Sequence, residues 1–168
     1  MLLSIFGLWG CSSSKGDLAV VPTVDLQRYT GTWYEIMRIP HSFENGLKCV
    51  TANYSIKPNG DIKVENMGHK VDDPSRVKTA IGTAWVPNAN EPSKLKVRFF
   101  WPFSGNYWIL ALDRDYRYAM IGDPSRDYLW ILSRDKSLPQ STLDALLQQA
   151  KTEGFDITRL EHVAQDCE

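Results

Sequence analysis

Gly31-Thr32-Trp33-Tyr34-Glu35-Ile36-Met37-Arg38 has the composition of a half-buried β-strand, with aromatic and β-branched residues behind a glycine. Strand side chains alternate faces. Trp33, Glu35 and Met37 therefore fall on one side, and Thr32, Tyr34, Ile36 and Arg38 on the other. A glycine two residues before a Trp lets a second backbone approach while the indole fills a large volume. Much later, Trp130-Ile131-Leu132-Ser133-Arg134 ends another apolar strand. An Arg134 guanidinium lying on the Trp33 indole would join the first strand to the last by a cation–π contact worth roughly 0.5–2 kcal/mol. A first strand that must meet a last strand suggests a closed barrel.

The segments between these two stretches fit that reading. Asp25 to Tyr29 makes one helical turn before Gly31. Strand-like segments follow at about 31–38, 49–57, 61–69, 76–86, 95–99, 106–113, 117–123 and 127–134. Pro58-Asn59-Gly60-Asp61 is a hairpin turn, because Asn-Gly supplies positive φ. Pro40 to Lys48 is a loop long enough to lie over a barrel mouth. After the eighth strand the period changes. Leu143, Leu146, Leu147 and Ala150 form a helical stripe between Pro139 and Gly154, and Leu160 to Val163 adds a short strand. The expected fold is all-β: an eight-stranded antiparallel up-and-down barrel with one C-terminal α-helix packed outside.

The ordered set Gly31-x-Trp33, Leu112-Asp113-Arg114-Asp115-Tyr116 and Arg134 resembles the lipocalin family. Phe43-Glu44-Asn45-Gly46, Thr51-Ala52-Asn53-Tyr54-Ser55, Tyr107-Trp108-Ile109-Leu110-Ala111 and Trp130-Ile131-Leu132 resemble its apolipoprotein D-like branch. Arg126-Asp127-Tyr128-Leu129-Trp130 and the N-terminal cysteine resemble the bacterial outer-membrane lipoprotein members of that branch. The resemblance runs from about Asp25 to the C-terminus and implies a lipocalin barrel.

The 168 residues fit one domain. Nineteen basic residues against 20 acidic leave no electrostatic footprint for nucleic acid. Cys11 follows an apolar run and Gly10, and precedes the polar tether Ser12-Ser13-Ser14-Lys15-Gly16-Asp17. That order reads as a lipoprotein cleavage site: 1–10 the signal segment, 11–24 a lipidated tether and 25–168 the barrel domain. Ten residues precede Cys11 and none is basic, unlike a usual signal n-region, so an apolar leader with a free thiol stays open. Three acyl chains on Cys11, at about 0.8 kcal/mol per methylene, anchor a protein essentially permanently. Ser12 after the cysteine resembles the choice that sorts to the outer membrane. The resemblance to apolipoprotein D also implies a Cys49–Cys167 bridge tying the C-terminal tail to the barrel.

Strand parity nominates a lining of Glu35, Met37, Ala52, Tyr54, Ile56, Val64, Asn66, Leu95, Val97, Phe99, Tyr107, Ile109, Tyr128 and Trp130. The resemblance points within it especially to Tyr54, Asn66, Phe99, Tyr107 and Trp130, which with Ala52 make the candidate ligand-binding set. Trp33 and Arg134 read as structural barrel closure. Glu35 inside a barrel needs a partner: a ligand head group, an inward Arg or Lys, or a Tyr hydroxyl.

No catalytic or metal constellation emerges, since His41, His69 and His162 are scattered, and no cofactor is implied. The implied activity is non-enzymatic: binding fatty acid or lysophospholipid in the calyx for storage or transport, on the periplasmic face of the bacterial outer membrane. An envelope enzyme or antioxidant using a free thiol, and a structural envelope protein with a filled barrel, are the alternatives. A bilin, haem fragment or sterol is a further ligand class. Trp85 and Trp108 on the outer face leave a homodimer open.

Overall fold

Asp25 caps a single helical turn, α1 (Leu26–Tyr29), by accepting the backbone N–H groups of Gln27 and Arg28. The turn feeds β1 (Gly31–Arg38) through Gly31, whose φ of +90° is the left-handed region that glycine enters without strain. The computed structural model describes residues 17–167. The proposed signal segment, Cys11 and the start of the tether lie outside the described residues.

Seven more strands follow: β2 (Leu47–Ile56), β3 (Ile62–Lys70), β4 (Val77–Trp85), β5 (Lys94–Phe100), β6 (Phe103–Leu112), β7 (Tyr118–Gly122) and β8 (Leu129–Ser133). Each pairs antiparallel with the next, and β1 pairs with both β2 and β8, so the sheet closes on itself. A short β9 (Glu161–His162) pairs with Met37 and Arg38 of β1. The helix α2 (Gln140–Thr152) and a 3-10 turn (Ile157–Arg159) lie between β8 and β9. This is the expected eight-stranded barrel with one helix outside it.

Burial divides into two main clusters. The lumen cluster holds Trp33, Ala52, Tyr54, Val64, Leu95, Ile109 and Leu132, with Val97, Phe99, Tyr107 and Trp130 packed against it. The outer cluster holds Ile36, Leu110, Met120, Leu129, Ile131, Leu146, Ala150 and Phe155, with Leu143 and Leu147 against it. The predicted helical stripe is thus the surface that α2 lays on the barrel wall. Burying such a stripe, at roughly 1.5–3 kcal/mol per large side chain, holds a 13-residue helix that would be marginal alone.

One irregularity rearranges the predicted lining. The pairing of β1 with β8 slips between Glu35 and Met37. A bulge reverses parity beyond it, so Met37 joins the outer cluster with Ile36, and Arg38 turns inward to Glu35. Met37 therefore does not line the lumen, and Arg38 is not on the outer face. Ile56 is half-buried and belongs to none of the buried clusters, and Tyr128 sits at the rim. Trp85 and Trp108 are half-covered by cations, Arg98 at 5.4 Å and Lys94 at 4.6 Å, which blunts both as a dimer surface.

Candidate functional site

Strand directions give the barrel two unlike ends. α1 closes one. The loops 39–46, 71–76, 101–102 and 123–128 surround the other, which is the mouth.

At the closed end, Trp33 is fully buried and its Nε1 donates to the Tyr29 carbonyl at 2.8 Å. Arg134 lies over its ring at 3.8 Å and donates to the carbonyls of Arg28, Thr30 and Thr32. Above this plug, the Tyr107 hydroxyl is 2.7 Å from that of Tyr29 and 2.9 Å from that of Tyr54. Burial holds all three phenols above their usual pKa, so they stay protonated and act as neutral hydrogen-bonding groups. A cavity of about 10 Å³ beside them is lined by Tyr29, Tyr54, Ile62, Ala84, Leu95 and Tyr107. Tyr54 and Tyr107 therefore form the floor of the lumen.

Ala52 and Asn66 face each other across β2 and β3, one inward position above Tyr54. Asn66 Oδ1 is buried without a hydrogen-bond partner, an open acceptor in an otherwise apolar wall. Phe99 packs into space left by Gly82, where a Cβ would come within 2.8 Å of both the ring and the Arg98 carbonyl. Trp130 stands opposite Arg38 on the upper wall and stacks on Tyr128. The six nominated ligand residues thus share one lumen, from floor to mouth.

The top of the lumen carries a layer of charge. Arg38 Nη1 donates to Glu35 Oε1 at 2.9 Å, Nε to Glu161 at 2.7 Å and Nη2 to the Leu47 carbonyl at 3.0 Å, which ties together both feet of the mouth loop. From that loop Glu44 reaches in. His41 Nε2 approaches its Oε2 to 2.8 Å, and Trp130 Nε1 donates to the same oxygen at 3.3 Å. Burial pushes Glu35 well above the usual carboxylate range, and the neighbouring Glu44 charge adds to that against the pull of Arg38. Burial also acts to raise Glu44, but His41, Trp130 and Arg38 outweigh it and hold its carboxyl below the usual range. The two carboxyls are thus pushed in opposite directions, Glu35 toward its neutral form and Glu44 toward its charged form.

Sequence reasoning found Glu35 and Trp130 but missed Arg38, Glu44 and His41. The spacing of Glu35 and Arg38 is an ion-pair spacing on a helix, not on a regular strand, and only the bulge brings them together. Glu44 reads as a solvated loop carboxylate, so its sequence carries no warning of burial.

Around the mouth, large apolar side chains face water. Phe43, Val71, Val77, Phe100, Trp101, Phe103 and Tyr128 are exposed, Trp101 by 82%. All lie in or beside the mouth loops; of the exposed large apolar residues among those described, Met67 and Ile81 sit on the barrel wall.

Outside the barrel, an open groove of about 540 Å³ runs along β1–β3 beside the C-terminal tail, with Thr51, Asn53, Glu65 and Gln165 in its lining. Its mixed walls lie on the opposite face of the sheet from the lumen, so the lumen is the candidate site despite the groove's larger volume. Cys49 and Cys167 are joined in a disulfide with Cα atoms 6.1 Å apart. The grouping of both with Asp166 thus offers no free thiolate to a metal.

Comparison with known proteins places this arrangement. Residues 24–165 match the family model for a lipocalin-like domain. The outer membrane lipoprotein Blc of Citrobacter freundii is 45% identical over 158 residues, covering 92% of this chain and 88% of that protein. Apolipoprotein D of Macaca fascicularis is 36% identical over 175 residues, covering 95% and 90%. Among solved structures, insecticyanin of the tobacco hornworm Manduca sexta superposes with a TM-score of 0.69 at 24% identity, covering 88% of this chain and 84% of that one.

Proposed function

The chain belongs to the lipocalin family, and from that premise we propose that it is a membrane-anchored carrier binding fatty acids or lysophospholipids in the barrel lumen. The observation that carries this reading is the layering of the lumen. The wall is apolar from Ala52 to Phe99, and a single charged layer of Glu35, Arg38, Glu44 and His41 crosses its top. That order complements an amphiphile whose chain points down and whose head stays at the mouth. Burying the chain contributes about 25 cal/mol per Å² of apolar surface, so binding is passive desolvation without chemistry.

The exposed aromatic rim supports exchange with a lipid phase, because it presents an apolar path from a bilayer to the mouth. Relatives named outer membrane lipoprotein support an outer-membrane location here; Cys11 as the lipidated residue and the barrel on the periplasmic side are part of the proposal. The free-thiol alternative loses Cys49, which is bonded to Cys167. The filled-barrel alternative draws support at the floor, where the tyrosines leave about 10 Å³.

The test is to purify the domain without its anchor, extract it and identify bound lipids by mass spectrometry. Stoichiometric fatty acid or lysophospholipid, with weaker binding in Trp130→Ala, supports the carrier. An empty protein that takes up neither lipid in titration favours the filled barrel.

A further inference from the structure

Within the loop 41–46, Ser42, Phe43, Asn45 and Gly46 are exposed, while Glu44 turns inward and is only 6% exposed. A loop carboxylate gives up strong hydration to do this. It does so beside a second carboxylate, Glu35, which makes the placement costlier still.

The surroundings of Glu44 are those of an anion site. Trp130 Nε1 donates to Oε2 at 3.3 Å, and His41 Nε2 lies 2.8 Å from the same atom. The His41 contact is close but bent out of hydrogen-bond alignment, and His41 Nδ1 is buried without a partner. Arg38 adds positive charge from the wall, where its Nη1 also donates to Glu35 Oε1 at 2.9 Å. Trp130 and Arg38 belong to the barrel strands, whereas His41 and the anion belong to the same mouth loop, whose backbone closes from Glu44 N–H to the His41 carbonyl at 3.3 Å. The barrel part of the cage is fixed in the lumen; its occupant is attached to a segment that water can reach.

We infer that His41, Trp130 and Arg38 form the head-group subsite for an acid-headed amphiphile, and that Glu44 is a resident stand-in which the ligand's acid group displaces. This rests on the reading of the lumen as a lipid site and adds the head-group class to it. One anion leaves for water as another enters, so the charge of the cage is conserved and Glu44 regains its hydration. The shared chemistry is a single anionic group above an acyl chain, whether a fatty-acid carboxylate or a lysophospholipid phosphate. A neutral head gains nothing by evicting Glu44, because it leaves the cage without its counter-charge. Glu44 therefore discriminates by head-group charge, since a ligand shifts the loop only through its differential affinity for the open state.

The experiment titrates the anchor-free protein with palmitate, palmitoyl lysophosphatidic acid and hexadecanol, comparing wild type with Glu44→Ala and Glu44→Gln. Removing the competing carboxylate is expected to tighten both acids by about tenfold and to change hexadecanol by less than about threefold. The relative gain of palmitate and lysophosphatidic acid tells which acid the cage fits better. Hydrogen exchange in wild type is expected to rise across 41–46 with palmitate and not with hexadecanol. Glu44→Gln keeps the side chain's size, and its melting temperature separates charge removal from misfolding. Acid affinities that stay unchanged or fall in both folded variants overturn the inference and leave the carrier reading intact, as does equal tightening for acid and alcohol. Failure of wild type to bind any of the three probes overturns the carrier reading itself, and the inference with it.

Discussion

The Arg134 guanidinium lies 3.8 Å from the centroid of the Trp33 ring and at the same time donates to the carbonyls of Arg28, Thr30 and Thr32. One side chain thus covers the buried indole and satisfies carbonyls at the end of α1 and the start of β1. Arg134→Ala removes the cation–π contact and strands several carbonyls. We expect a loss of about 2–4 kcal/mol by chemical denaturation. Arg134→Lys keeps the charge but not the planar fork and should recover less than half. A loss below about 1 kcal/mol for the alanine variant would show that the plug holds without it.

The Cys49–Cys167 bridge spans 118 positions and pins the tail that carries Gln165, whose amide donates to the carbonyls of Glu35 and Val50. Loop-closure entropy predicts that paired Cys49→Ser and Cys167→Ser changes cost roughly 4–5 kcal/mol, less whatever strain is relieved. Urea denaturation of oxidised, reduced and double-mutant protein measures it. Equal midpoints for all three would contradict the role given to the bridge.

Glu35 makes stability fall as pH rises. Its folded pKa is raised, so between the unfolded and folded values the folded state keeps a proton that the unfolded state has lost. Each pH unit in that window, which starts at the ordinary carboxylate pKa, removes up to about 1.4 kcal/mol. Glu44 acts in the opposite sense: its lowered pKa contributes stability above the ordinary carboxylate pKa, lost as pH falls through its folded value. Glu35→Gln should flatten the alkaline-side slope while leaving the acid-side loss. Denaturation midpoints across a pH series read both limbs, and parallel curves for the two proteins would refute the assignment.

Gly82 leaves room for the Phe99 ring, since a Cβ there comes within 2.8 Å of it. Gly82→Val should displace Phe99 into the lumen, cost about 1–3 kcal/mol and weaken acyl-chain binding together with stability. Calorimetric titration beside thermal melting tests both. Retained affinity in a destabilised variant would place the chain elsewhere.

Most of the framework was legible from residue patterns. Gly31, Trp33 and Arg134 marked the closure, strand alternation located eight strands, and Leu143 to Ala150 marked the face of α2. What escaped was non-local. The bulge after Glu35 is set by pairing with β8, and it exchanged Met37 for Arg38 on the inner wall without any mark in β1 itself. β6 begins at Phe103 rather than near Asn106 because Phe100 and Phe103 pair directly across a tight hairpin. His41 and Glu44 acquire their roles only when the loop folds over the mouth, which local composition does not encode.

The central claim is that an acyl chain occupies the lumen, and Ala52 is the place to test it. Ala52 faces the lumen opposite Asn66, midway between the tyrosine floor and the charged layer. The decisive measurement is calorimetric titration of palmitate into wild type and Ala52→Trp, each with its melting temperature. A carrier with a vacant lumen binds about one palmitate per chain, and the Trp variant stays folded but loses binding. Uptake that is the same in both proteins, or a wild type that binds none while the Trp variant is destabilised by about 1–3 kcal/mol from overpacking, would contradict the account.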